Sequence, residues 1–175
     1  MASAAGWRLY RSLRRELNDA GSAKVLPGWF LDTSALAKLY HAEQGTERMR
    51  SIAQDSGNRL WISGLAVVEF SSVSATKVRT GFLHREDAAV LLRRFGQELV
   101  SGGFGLYAIG EAEFSFAGRL IERYASDIGL RSLDAIQIAA AVGLRGGGLI
   151  EYVVVCSRPR LMSPSIEPLR NGRPI

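Results

Sequence analysis

Four short apolar segments alternate along this chain with amphipathic helical stretches, and no two of the segments are neighbours. GWFLD (28–32), RLWIS (59–63), FGLYAI (104–109) and YVVVC (152–156) are the strand candidates. Helical periodicity fills the intervals at 34–40, 44–56, 64–79, 84–102, 111–125 and 132–146. Strands that always have a helix between them cannot pair as tight hairpins and need crossover connections. The order therefore predicts an α/β fold with a mostly parallel sheet covered by helices on both faces, its ligands collecting beyond the carboxyl ends of the strands.

Within the helices, Leu65, Val68 and Val73 mark the expected inner face of 64–79. Ala88, Leu91, Leu92, Phe95 and Leu99 do so for 84–102, and Phe114, Ala117, Leu120, Ile121 and Tyr124 for 111–125. Ser132 is the expected N-cap of the next helix, which runs out at the glycines 146–148. After Pro164 the tail is proline-rich and reads as irregular. Residues 7–20 carry Trp7, Tyr10, Leu13 and Leu17 at helical spacing with arginines between them. This makes 1–27 a basic amphipathic extension, either an RNA- or partner-binding arm or a packed or frayed extension, ahead of a single domain over 28–175.

The 175 residues suffice for one domain. With 47% hydrophobic and 22% charged residues the composition is that of a globular protein. No apolar run approaches the roughly 20 residues that cross a bilayer. The arginine-containing start lacks the apolar core of a secretory signal, so a cytoplasmic location with no membrane partner is expected. The single cysteine, Cys156, excludes an intrachain disulfide and a cysteine-rich zinc site, and reads as a small buried hydrophobe at a strand end. The net charge of +5, mostly arginine, favours polyanionic partners. Glycine-rich phosphate loops are missing, because GLRGGGL (143–149) closes a helix instead of opening one. His41 and His84 lie in separate elements and receive no acid–base role.

Three acids stand where apolar patterning does not ask for them. Asp32 ends the first strand, and either caps the helix that follows or belongs to a site at the strand end. Glu69 interrupts LAVVEF, and is either a solvated or salt-bridged carboxylate or one at the rim of a pocket, since buried carboxylates are rarely unpaired. Asp134 lies in the first turn of an apolar helix, where the helix dipole favours an anion by about 0.3–1 kcal/mol and where a cleft-facing acid is equally at home. Carboxylates converging in a low dielectric repel one another unless a cation compensates. Hard ions such as Mg²⁺ or Mn²⁺ prefer such oxygen ligands and can promote displacement at phosphate. An acidic pocket on a basic surface thus points to phosphodiester chemistry.

These segments resemble a known family. LDTSALAKLY (31–40), ISGLAVVEF (62–70), LRSLDAIQIAAA (130–141) and YVVVCSRPRL (152–161), in this order and over about residues 28–161, are similar to the PIN domain and, within it, to VapC-type toxins of bacterial toxin–antitoxin pairs. The resemblance implies an α/β/α sandwich and a Mg²⁺- or Mn²⁺-dependent endoribonuclease. It implies catalytic and metal-binding roles for Asp32, Glu69 and Asp134, with Thr33, Ser34 and Ser157 in support. It also implies an RNA substrate, a homodimer and a cognate antitoxin.

One position departs from the family's pattern. Where a fourth acid is usual just after the last long strand, this chain has Arg158, within Cys156-Ser157-Arg158-Pro159-Arg160-Leu161. Glu151 is no replacement, since it precedes the strand and, at about 3.3 Å per residue, lies about 16 Å away at the wrong end of the sheet. Asp127 and Glu167 have no spacing argument. Two readings of Arg158 follow. It turns outward to bind phosphate and leaves a three-carboxylate nuclease site, or its guanidinium pairs with Asp32 or Asp134 and leaves a weakened binding module for antitoxin or RNA.

Overall fold

In the computed structural model residues 27–154 are described in full, and residues 166–168 as backbone. The expected N-terminal helix, Cys156, Ser157 and Arg158 lie outside the described residues. The elements run β1 (Gly28–Leu31), α1 (Thr33–Tyr40), α2 (Thr46–Gln54), β2 (Arg59–Ser63), α3 (Gly64–Arg79), α4 (Arg85–Val100), β3 (Gly105–Tyr107), α5 (Glu111–Ile128), α6 (Ser132–Gly146), β4 (Tyr152–Val154) and β5 (Ile166–Pro168).

Each strand candidate forms a strand, and all four are parallel, in the order β3-β2-β1-β4, with β5 completing the edge beside β4. Because side chains alternate across a strand, consecutive residues of β1 serve different layers. Leu31 joins Leu60, Ile62 and Val154 in a core that Leu36, Phe70 and Phe95 complete from α1, α3 and α4. Phe30 faces the opposite way, onto Ala140, Ala141 and Leu144 of α6, with Trp61 and Val153 alongside. Both faces are therefore covered, as expected of a parallel sheet. The α5–α6 pair closes its own seam around Ala117, Ala135 and Ala139. At the amino edge the chain packs backbone on backbone. A Cβ at Gly28 would lie 1.9 Å from the Leu149 carbonyl oxygen, so only glycine fits there.

Four expectations need correction. The tail is not wholly irregular, since Ile166–Pro168 pairs antiparallel with β4, Val154 opposite Ile166. A three-residue strand containing proline carries no periodicity of its own and exists because the edge of β4 is there to pair with. Ser132 is not the cap of α6 but its first helical residue. Arg131 occupies the N-cap position and makes no side-chain capping bond. The inner face of α3 is Ala66, Phe70 and Ser74, whereas Val68 is 67% exposed. In α5, Ala117 is buried but Phe114 points outward.

Candidate active site

The carboxyl ends of β1 and β4, the first turns of α1 and α6, and Glu69 of α3 enclose a cavity of about 110 Å³. It is lined by Asp32, Thr33, Ser34, Glu69, Asp134 and Gln137 over an apolar floor of Phe30, Ile138 and Val153. Of the residues expected at the site, the five within the described chain thus share one cleft. Ser157 and Arg158 lie outside the described residues.

Asp32 follows β1 directly, and its backbone N–H still bonds to the Val154 carbonyl across the sheet at 3.2 Å. Its Oδ1 accepts from the Ala35 N–H at 2.7 Å, which caps α1. Capping and lining the cleft are therefore compatible, because the cap uses one carboxylate oxygen to hold the side chain at the strand end.

Glu69 is half-buried on α3. Among the described residues its Oε2 accepts from two donors, the Thr33 hydroxyl and the Gln137 Nε2, the latter at 2.8 Å. Oε1 takes neither bond. Thr33 in turn accepts from Gln137 Nε2 at 3.1 Å. Asp134 stands in the first turn of α6, exposed, where the helix dipole favours its charge. Gln137, one turn later, is on the buried side of the same helix, so α6 delivers an acid to the mouth of the cleft and an amide to its base.

Two residues of this network had no role in the sequence reading. Ser63 ends β2 and caps α3, accepting from the Ala66 N–H at 3.2 Å. Its hydroxyl donates to Gln137 Oε1 at 2.7 Å. Gln137 itself is 7% exposed. The signal was a lone amide within IQIAAA, on an otherwise apolar face three residues after Asp134.

The three acids share the cleft without forming the tight cluster expected from sequence. Among the described residues no group of three or more His, Cys, Asp or Glu side chains is placed to hold a metal ion. The donors are nevertheless all oxygen. Mg²⁺ is commonly held by one or two carboxylates, with water and substrate phosphate completing its shell. The donor chemistry and an open cleft suit such an ion. Glu151 accepts from the Gly28 N–H at the amino end of the sheet, remote from the cleft as its place before β4 predicts.

Beside the site, Tyr107 at the end of β3 donates to Glu113 Oε1 at 2.7 Å. Burial and this carboxylate raise the phenol above its ordinary range. Burial pushes the Glu113 carboxyl up, but the bonds from Tyr107 and the Gly110 N–H together bring it below its ordinary range.

The PIN domain family model matches residues 29–150. Among solved structures the fold is similar to VapC20 of Mycobacterium tuberculosis, a sarcin–ricin loop cleaving toxin. The TM-score is 0.53 at 15% identity, over 71% of this chain and 86% of that one. VapBC2 from Rickettsia felis, bound to a DNA fragment from its promoter, gives 0.47 at 13% identity over 67% and 82%. FitAcB from Neisseria gonorrhoeae gives 0.45 at 20% identity over 65% and 80%. No curated protein matches the sequence. No helix among the described residues is long and apolar enough to cross a membrane.

Proposed function

Since the chain belongs to the PIN-domain family, we propose that it is a divalent-metal-dependent endoribonuclease, the toxin of a VapBC-type pair. The observation that carries this reading is the gathering of Asp32, Glu69 and Asp134 around one cleft at the carboxyl ends of the parallel strands. The fold shared with a sarcin–ricin loop cleaving toxin supports RNA as the substrate class.

In this reading Asp32, Glu69 and Asp134 are the catalytic carboxylates and would hold Mg²⁺ or Mn²⁺. When bound, the ion makes water a stronger nucleophile and offsets charge at the reacting phosphate. The chain's own residues do the rest. The α1 cap fixes Asp32, Thr33 and Gln137 hold Glu69, and the exposed Ser34 is placed to donate to a phosphate oxygen. The net charge of +5 attracts the RNA backbone to a cleft that is itself acidic. A homodimer and a cognate antitoxin belong to the same proposal.

Arg158 favours a second reading, a PIN-fold binding module for antitoxin or RNA with weakened catalysis. Cleavage of a structured RNA with Mn²⁺ tests both, comparing the parent with Asp32→Asn, Glu69→Gln and Arg158→Asp. Under the nuclease reading the parent cuts and the two carboxylate variants lose at least about 100-fold, the scale of one lost transition-state interaction. An inert parent with an active Arg158→Asp variant selects the second reading. A parent and an Asp32→Asn variant that cut equally well remove the site assignment altogether.

A further inference from the structure

The base of the cleft is a closed network of four side chains, Ser63, Gln137, Thr33 and Glu69, drawn from β2, α6, α1 and α3. Its hydrogen-bond directions are determined. Ser63 Oγ accepts the Ala66 N–H as the cap of α3, so its own proton goes to Gln137 Oε1. That pins the amide the right way round, since a flipped Gln137 would turn its oxygen against the Glu69 carboxylate. Both Nε2 protons are then used, one on Thr33 Oγ1 and one on Glu69 Oε2. Thr33, accepting from Gln137, gives its proton to that same Oε2. Every donor proton of the four side chains is committed, and two of the donors converge on one oxygen of the acid in the network.

We propose that Gln137 is a positioning residue of this site: oriented by Ser63, its amide holds Glu69 through Oε2 and so reserves Oε1 for a divalent cation in the cleft. The inference rests on the metal-site reading above. A merely structural glutamine would need only satisfied hydrogen bonds. This one is arranged so that its amide and the Thr33 hydroxyl both fall on one oxygen of a carboxylate that lines an open cavity. Partners of this kind set ligand orientation, and their removal typically weakens metal binding about 10–100-fold.

The test is Mn²⁺ binding to the full chain without RNA, followed by the electron paramagnetic resonance of free Mn²⁺. Gln137→Met keeps the length and loses the amide, and circular dichroism checks that it folds. It should bind Mn²⁺ at least about tenfold more weakly than the parent. In a Glu69→Gln background the same change should have no further effect, a non-additivity that general loosening of the fold does not produce. The parent chain supplies a second measurement that needs no substitution at 137. In ¹⁵N-labelled protein the Gln137 side-chain amide pair should shift on titration with Mg²⁺ and stay still in Glu69→Gln. Parent-like Mn²⁺ binding by Gln137→Met, or an amide pair unmoved while Mg²⁺ binds, overturns the inference alone, provided Asp32→Asn has lost binding. If the parent binds no Mn²⁺, or Asp32→Asn binds it as the parent does, the metal-site reading fails and this inference falls with it.

Discussion

Replacing Gly143 with alanine sets two effects of opposite sign against each other. A Cβ at this position of α6 would stand 2.2 Å from Tyr107 Oη, 2.9 Å from Cζ and 3.3 Å from Glu113 Oε1. In an unobstructed helix interior, alanine is better than glycine by about 1 kcal/mol. Here the phenol must swing away and give up its bond to Glu113. A bond to a charged acceptor is worth about 1.5–3 kcal/mol, taken at the low end because Glu113 is only half-buried. Repacking the displaced ring adds about 1–3 kcal/mol. The losses win, for a net destabilisation of about 1.5–3.5 kcal/mol and a fall in Tm of about 3–14 °C. Gly118 in α5 is the control, since a Cβ there meets nothing within 4 Å, and Gly118→Ala should stabilise by about 1 kcal/mol.

Thermal and urea denaturation at pH 7 measure both variants. The pH dependence adds a signature. Glu113 has a depressed folded-state pKa, so its contribution is present above the unfolded value of about 4.3 and is lost as pH falls through the folded one. The penalty of Gly143→Ala should therefore shrink below about pH 4. If Gly143→Ala stabilises as much as Gly118→Ala, the steric reasoning is wrong.

Two further predictions concern the core beneath α1. Phe70 is fully buried against Tyr40 and Phe95, at centroid distances of 4.9 and 4.7 Å, so Phe70→Ala should cost about 3–5 kcal/mol in urea denaturation. A loss below about 1 kcal/mol would mean that this cluster is not the centre of the core. His41 is buried among the same groups, and its Nε2 has no hydrogen-bond partner among the described residues. Burial, aided by Lys77 and opposed by Glu43, depresses its pKa. The unfolded chain then binds the extra proton first, so stability should be level above about pH 6.5 and fall as pH drops from there towards the folded value. Urea midpoints between pH 7.5 and 5 should show this slope in the parent and lack it in His41→Phe. An unchanged slope would place the titration elsewhere.

The strands were legible because a parallel sheet demands residues that are apolar on both faces, and Phe30, Leu31, Trp61 and Ile62 meet that demand locally. The inner face of α3 was not, because its packing depends on size. Ala66 and Ser74 are buried where a larger residue would hold the helix away, while Val68 is apolar and 67% exposed. Periodicity scored by hydropathy cannot see that choice. Nor can it see β5, whose existence depends on a partner strand far away in sequence, or the cap of α6, where a serine of high capping preference lies one residue inside the helix.

The acids and the groups that hold them were unequally legible for a chemical reason. A carboxylate in an apolar run is conspicuous because burying it unpaired is costly, so Asp32, Glu69 and Asp134 stand out without any knowledge of the fold. A hydroxyl or an amide in the same setting is unremarkable, since one backbone or side-chain partner satisfies it. Yet Ser63 and Gln137 are separated by 74 positions and meet at 2.7 Å, and Gln137 reaches Glu69 across 68. Such contacts belong to topology, because only a sheet that brings β1 beside β2 and lays α6 across them can assemble the network. Sequence therefore exposes the charges of a site of this kind, and the fold supplies their orientation. It follows that substitutions at Gln137 or Ser63 should alter the site's affinity for a divalent ion while leaving its net charge unchanged, whereas Asp32→Asn or Glu69→Gln alters both.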